Sequence, residues 1–468
     1  MVFSSFVFLF QFLPVFLCLY FLVPDTLKNI VILIGSLIFY FYGIKDYPAY
    51  ILLIIFSVIM NYGAARFIDR AKKTCWQKLW LFVGMFYNIG SLFIFKYLNF
   101  LCENINQLLR VTGSSERLPF VNLILPVGIS FYTFQISSYL IDVYRRKFPA
   151  ERSIITLGTY LCLFPQLIAG PIVTFSEVRE QLHSRTHSLQ KLEDGLRQFT
   201  IGLSIKVLIA NRVGGIWTQA AAIGYESIST PMAWLALVAF SLQIYFDFYG
   251  YSLMAKGLGM IMGFDFPDNF KTPYLSLTVG EFWRRWHITL GSWFREYVYI
   301  PLGGNRKANL RNLFIVWLLT GLWHGASWNF VLWGLFSFVL IIFEKKSYGK
   351  ILDSKPVLGH LYMIAFILFS WLLFAIPDLT QLGIYFTRMF PFLSKSSATV
   401  FQGDFIKHFN DCALPLLAGL FCCCSLPRAI YEKHKYSLPV TFVLVILFWA
   451  CVYCMYLGLD DPFLYYQF

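Results

Sequence analysis

The sequence predicts an all-α polytopic membrane protein, on three observations. Of its 468 residues, 58% are hydrophobic and only 13% are charged. The hydrophobic residues gather into runs long enough to cross a bilayer. The loops between the runs are short and rich in Lys and Arg. No long polar stretch separates the runs, so a single membrane-embedded domain over residues 1–468 is the simplest organisation. The formal charge of +13 belongs, on this reading, to cytoplasmic loops, and no nucleic-acid partner is expected. The 50 Phe residues read as lipid-facing and packing surface. The ten Cys residues have neither metal nor disulfide spacing. Cys422, Cys423 and Cys424 are consecutive and point in different directions on a helix, so no metal site is expected.

Each element follows from its residues. The run at about 6–24 has no basic leader and no small-residue cleavage site, and reads as a retained first helix. Runs at about 29–43, 48–65, 79–99 and 119–141 follow. The third and fourth runs are joined by Arg66, Arg70, Lys72, Lys73 and Lys78 against one Asp69. That loop is expected in the cytoplasm, which puts the N-terminus outside and Arg145, Arg146, Lys147 and Arg152 inside. The next apolar run, 154–173, contains FPQLIAGP (Phe164–Pro171). Its prolines and glycine break a straight span, and a re-entrant element accommodates the positive charge on both flanks. Ser176–Gln198 reads as an amphipathic stretch at the interface.

Runs at about 199–210 and 231–262 cross out and back. They deliver the basic stretch 268–312 to the cytoplasm. Asn312–Phe343 then has no Asp, Glu, Lys or Arg, yet is basic at both flanks. A hairpin or broken helix bending near Gly325 satisfies that parity; a simple span does not. Runs at about 358–377, 412–427 and 438–457 alternate around Arg428, Lys433 and Lys435, and the tail with Asp460 and Asp461 ends outside. About ten full crossings plus two broken or re-entrant elements are expected.

Polar groups inside apolar runs mark the places where chemistry is to be sought. In Leu125–Arg146, Gln135 and Ser138 share a helix face and Asp142 follows; interhelical hydrogen bonding and a functional site both explain them. In Ser241–Gly259, Asp247 needs a cationic partner, expected from Lys256 or a loop Arg, and a structural ion pair is the plain alternative. In Gly280–Gly304, Trp283, Trp286 and Trp293 alternate with Arg284, Arg285 and Arg295, with His287 between them. An interfacial aromatic belt explains this pattern. A cationic mouth for a phosphorylated donor explains it as well, because Arg forks bind phosphate and Trp faces stack on an adenine ring.

The sharpest signal is His324, near the middle of the uncharged run. Trp323 precedes it, and Gly325, Ala326, Ser327, Trp328 and Asn329 follow. Small residues let a backbone or an acyl chain approach closely. A desolvated imidazole stays neutral and basic, and beside a narrow channel it can deprotonate a hydroxyl. A His hydrogen-bonded within a helix bundle remains the structural alternative.

These strings together resemble the membrane-bound O-acyltransferase (MBOAT) family, in its bacterial branch of alginate and peptidoglycan O-acetylation proteins. The resemblance runs from about residue 1 to 376. It is carried by Pro126–Arg146, Phe164–Ile172, Gln243–Gly259, Phe282–Arg306 and Gly321–Gly334 (GLWHGASWNFVLWG), in family order. It implies a ring of tilted helices with re-entrant elements around a central tunnel open to both faces. It also implies transfer of an acyl group from a cytoplasmic thioester to an extracytoplasmic hydroxyl. His324 matches the family's catalytic histidine, and His287 matches the branch's second histidine. Leu373–Pro377 (LFAIP) departs from the branch's aromatic–Arg–Ala string and is assigned no role. Residues 380–411 match no pattern, and His408 reads as a loop residue.

The resulting expectation is an O-acyltransferase of the bacterial cytoplasmic membrane. No tightly bound cofactor is expected; the acyl donor is acetyl-CoA or an acyl-carrier thioester. The acceptor is an extracytoplasmic polysaccharide or a secreted SGNH-type O-acetyltransferase acting as relay, and membrane lipid is the remaining partner. Trp283, Arg284, Arg285, Trp286, Trp323 and Ser327 are the candidate substrate-binding residues, with Asp247 and Gln135 behind them. Two alternatives stay open: D-alanyl transfer from a carrier protein to teichoic acid, and a proton-coupled transporter or flippase using His324 and Asp247. No related halves are found, which weighs against transport.

Overall fold

The computed structural model describes residues 1–168, 170–393 and 400–458. Among these the chain is helical, and the sole β pairing is an isolated antiparallel bridge between Phe270 and Trp286. Among the described residues eight helices are long and apolar enough to cross a membrane: Asp25–Gly43, Pro48–Arg70, Thr74–Val111, Leu189–Ile223, Thr230–Ile261, Trp328–Ser354, Pro356–Ala375 and Leu438–Tyr456. All but one sit on expected crossings; the exception, Trp328–Ser354, is the second arm of the expected hairpin. A ninth span results if Asp404–Cys422 and Leu426–His434, bent by 76°, are one.

By length and apolarity eight helices, or nine with the bent pair, thus qualify among the described residues, against about ten expected crossings. The 119–141 run is apolar but not helical before Ile129, because Pro126 withholds a backbone donor and Gly128 adopts a left-handed φ of +75°. The helix that follows, Ile129–Tyr144, has 16 residues. The first run folds as a shorter apolar helix, Val7–Leu22. Asp460 and Asp461 lie outside the described residues.

The chain divides into two compact units, Met1–Leu196 with Ala255–Pro267, and Arg197–Met254 with Asp268–Phe468. In the first unit the Phe164–Pro171 string does break the helix. Ile154–Cys162 stops at Leu163 and a single turn, Phe164–Leu167, follows. The break is buried, and several of its polar groups are met from within. The Phe164 N–H donates to Ser36 Oγ (3.1 Å), Gln166 Nε2 donates to the Tyr160 carbonyl (2.7 Å), and the Tyr160 hydroxyl donates to the Val173 carbonyl (3.0 Å). The Phe164 ring is enclosed by Phe3, Phe8, Phe12, Phe16 and Phe39 at 5.2–6.3 Å. Irregular backbone at such depth is tolerated where protein surrounds it.

In the second unit, close helix packing depends on small residues. A Cβ at Gly202 would lie 2.5 Å from the Gly250 carbonyl, and one at Gly250 would lie 2.7 Å from the Gly202 carbonyl. The uncharged run folds as a hairpin. Asn309–His324 ends at His324, Gly325 is extended, and Trp328–Phe343 runs back antiparallel. Gly321 meets the Phe330 carbonyl and Gly334 meets the Trp317 carbonyl, each leaving only 2.4 Å for a Cβ. This interlock fixes where the last residue of the first arm, His324, projects.

Candidate active site

His324 is 4% exposed and is framed by rings standing on edge to it. Trp323 and Trp333 lie 4.9 Å away by ring centroid and Phe374 lies 5.3 Å away, at interplanar angles near 80°. These rings are themselves anchored. Trp333 Nε1–H donates to Ser370 Oγ at 2.9 Å. Asn329 Nδ2 donates to the carbonyls of Leu373 (3.2 Å) and Phe374 (3.1 Å), holding the end of Pro356–Ala375 against the hairpin turn. Trp371 Nε1–H donates to the Tyr274 hydroxyl (2.9 Å), which donates on to the Ser241 carbonyl (2.5 Å). The imidazole thus sits in an anchored aromatic frame.

The second histidine reaches the same frame. The Trp323 indole touches His324 at 4.9 Å and His287 at 5.8 Å, so one ring bridges both imidazoles. His287 is 2% exposed, with Phe248 at 4.7 Å on another side. Burial pushes its imidazole down to about 3, so it is neutral across the physiological range. Its Nδ1 lies 3.0 Å from Asn269 Oδ1. His287 also holds a left-handed backbone, φ +45°, at the start of Ile288–Phe294, a conformation uncommon for a non-glycine residue. Backbone bonds on both sides fix it: Ile288 N–H to the Asn269 carbonyl (3.0 Å) and Lys271 N–H to the Arg285 carbonyl (2.9 Å).

Trp283 joins through Trp333, 5.3 Å away, and Trp317, 4.9 Å away. Its Nε1–H is sealed and meets no acceptor among the described residues. The short helix that carries it, Val279–Arg285, is capped from outside: the Glu344 carboxylate accepts from the N–H groups of Val279 (2.5 Å) and Gly280 (3.0 Å). Arg284, on the same helix, is exposed, and Arg285 pairs with Glu281 at 2.5 Å. Ser327 is half-buried at the start of Trp328–Phe343. Trp286 is 1% exposed and packed by Tyr245, Phe270, Tyr274, Phe282 and Trp371, so it braces the frame from behind.

Two expectations need correction. Asp247 was expected to pair with Lys256 or a loop Arg; the structure sets Lys206 against it, at 2.8 Å, with the two side chains 1% and 2% exposed. Lys206 Nζ also donates to Asn211 Oδ1 (2.6 Å). The signal for Lys206 in the sequence is that it is the lone cation in the 199–210 run. Leu373–Pro377 was assigned no role, yet its Phe374 packs on His324. Asn269 and Glu344 carried no sequence signal that singled them out.

Gln135 belongs to the first unit. It is fully buried, and neither its Oε1 nor its Nε2 finds a partner among the described residues. Ser138 Oγ donates to its carbonyl (2.7 Å), and Asp142 pairs with Lys147 at 3.0 Å.

This combination, a buried imidazole at a helix break with a second neutral imidazole beside it, suits proton transfer at a hydroxyl. Comparison with known proteins gives the chemistry its class. The profile of the membrane-bound O-acyltransferase family matches residues 74–387. The chain is 40% identical to the "Probable alginate O-acetylase AlgI" of Pseudomonas syringae pv. tomato, over 84% of this chain and 76% of that protein. It is 35% identical to the peptidoglycan O-acetyltransferase of Helicobacter pylori, over 81% and 78%. It is 25% identical to the teichoic acid D-alanyltransferase of Bacillus subtilis, over 71% and 90%. On this evidence the chain belongs to the membrane-bound O-acyltransferase family and is a multi-pass membrane O-acyltransferase.

Proposed function

We propose that this enzyme takes an acetyl group from acetyl-CoA on the cytoplasmic side. It passes the group through the membrane to a hydroxyl of an extracytoplasmic polysaccharide, directly or by way of a secreted SGNH-type relay protein. The observation that carries the reading is His324, a buried imidazole at the turn of an uncharged hairpin, framed by Trp323, Trp333 and Phe374. In this reading His324 takes the proton of the acceptor hydroxyl as its oxygen attacks the thioester carbonyl. The new C–O bond forms, the C–S bond breaks, and the thiolate leaves with a proton. His287 is the second catalytic residue and supports this step. Trp283, Arg284 and Arg285 help seat the donor, whose phosphates suit the guanidinium forks. Trp323 and Ser327 line the approach, with Trp286 and Asp247 supporting.

Acetyl is favoured over D-alanyl because the relatives named for O-acetylation are 35–40% identical, against 25–27% for those named for D-alanylation. The test is transfer of labelled acetyl from acetyl-CoA by the enzyme in proteoliposomes. His324→Ala is expected to slow transfer by about 10²–10⁴-fold, the range for loss of a general base. Transfer at the parent rate would remove His324 from the mechanism.

A further inference from the structure

We propose that Asn269 is a positioning residue, holding His287 as its Nδ1–H tautomer so that the bare Nε2 accepts a hydrogen bond from the reacting group. The argument starts with the amide. Asn269 Oδ1 receives the Thr289 hydroxyl at 2.9 Å and the Thr289 backbone N–H at 3.4 Å. A backbone N–H can only donate, so the atom on that side is the oxygen, not the nitrogen. Asn269 Nδ2 faces away and donates to Ser252 Oγ at 3.3 Å. The carbonyl oxygen so fixed is the one 3.0 Å from His287 Nδ1. An amide oxygen has no proton to give, so Nδ1 must carry it, and in a neutral ring Nε2 then carries the lone pair.

The other end of the ring points to a use for that lone pair. His287 Nε2 is sealed from solvent and meets no donor among the described residues. A buried acceptor without a donor is destabilising, and such groups call for an explanation. The strained φ of +45° adds a second sign, because strain of this kind persists where the surroundings over-determine it and clusters at functional sites. The Asn269 carbonyl, which accepts from Ile288 N–H at 3.0 Å, joins its side chain in doing so. Trp323 lies between this ring and His324 in the same frame. A substrate O–H or N–H reaching His287 Nε2 supplies the missing donor. What His287 does for turnover rests on the acyl-transfer reading above; its tautomer does not.

The test separates the two. The enzyme is labelled with ¹⁵N-histidine and its NMR spectrum recorded in detergent micelles, His287→Gln identifying the signal. The expected signal has Nδ1 protonated and Nε2 bare. Asn269→Leu is expected to shift the signal toward the Nε2–H form. It should lower kcat for acetyl transfer by at least about tenfold, with KM for acetyl-CoA within about twofold. Asn269→Asp, whose carboxylate still accepts from Nδ1, is expected to keep the tautomer and most of the rate. It also stands in as the deciding variant if Asn269→Leu does not fold. An Nε2–H signal in the parent, an unchanged signal in Asn269→Leu, or loss of the tautomer in Asn269→Asp would overturn the proposal. The expected parent signal together with no acetyl transfer would overturn the acyl-transfer reading and leave the tautomer assignment standing.

Discussion

A buried ion pair shows how residue-level physics shapes this protein. Lys206 and Asp247 face each other at 2.8 Å with almost no solvent contact. Removing two charges from water is costly, and their attraction offsets that cost only while both are present. Asp247→Leu, which strands the Lys206 ammonium, is expected to destabilise the enzyme by about 3–5 kcal/mol. Lys206→Met combined with Asp247→Leu should recover most of that loss. Thermal unfolding in detergent measures both; a double variant as unstable as the single would show that the pair does not act as a unit. The same case marks what could be read in advance. Asp247 and His324 stand out because an ionisable group in an apolar run is expensive wherever the run ends up. The partner of Asp247 did not follow, since Lys206 and Lys256 satisfy the one-dimensional pattern equally and only helix packing chooses between them. Asn269 was not legible at all. An Asn has significance here only through the three groups its amide meets, Ser252, His287 and Thr289.

Elements were legible where backbone chemistry is strict. The break at Phe164–Pro171 and the hairpin at Gly325 follow from Pro, Gly and charge parity, and both are seen. At 119–141 the apolar run and the helix do not coincide, because Pro126 and Gly128 delay the helix to Ile129. In the hairpin, glycine is demanded by proximity rather than by dihedral angle. At Gly321 and Gly334 an added methyl would meet a backbone carbonyl at 2.4 Å, and a backbone cannot swing aside as a side chain can. Gly321→Ala and Gly334→Ala must therefore push the two arms apart. His324 ends one of those arms, so its position moves with them. Either variant is expected to lower the acetyl-transfer rate by about 10²-fold, the scale of a misplacement near 1 Å. Gly215→Ala is the control: nothing lies within 4 Å of its added methyl, and relief from glycine in a helix should stabilise by about 0.5–1 kcal/mol. Equal transfer rates in all three would mean that the interlock does not set the position of His324.

Across the whole molecule, orientation decides from which side the proposed thioester donor would arrive, and basic loops are what set it. The loop holding Arg66, Arg70, Lys72, Lys73 and Lys78, and the segment holding Arg428, Lys433 and Lys435, both belong on the cytoplasmic side by that rule. Each carries a native reporter, because Cys75 and Cys424 are free and exposed. Cys75 lies in the first compact unit and Cys424 in the second, so the two thiols test each unit's orientation separately. In variants keeping one or the other as the single cysteine, a membrane-impermeant maleimide is expected to label both in inside-out vesicles and neither in intact cells. Labelling of both from outside would invert the protein and place the donor on the wrong face for acetyl-CoA. Labelling of Cys424 alone from outside would mean an odd change in the number of crossings after Cys75. The bent pair Asp404–Cys422 and Leu426–His434 is where that change would be sought, since its 76° turn permits either one span or none. In the proposed reaction the face that carries these basic loops is the one acetyl-CoA must reach, so cytoplasmic labelling of both thiols is what that proposal requires.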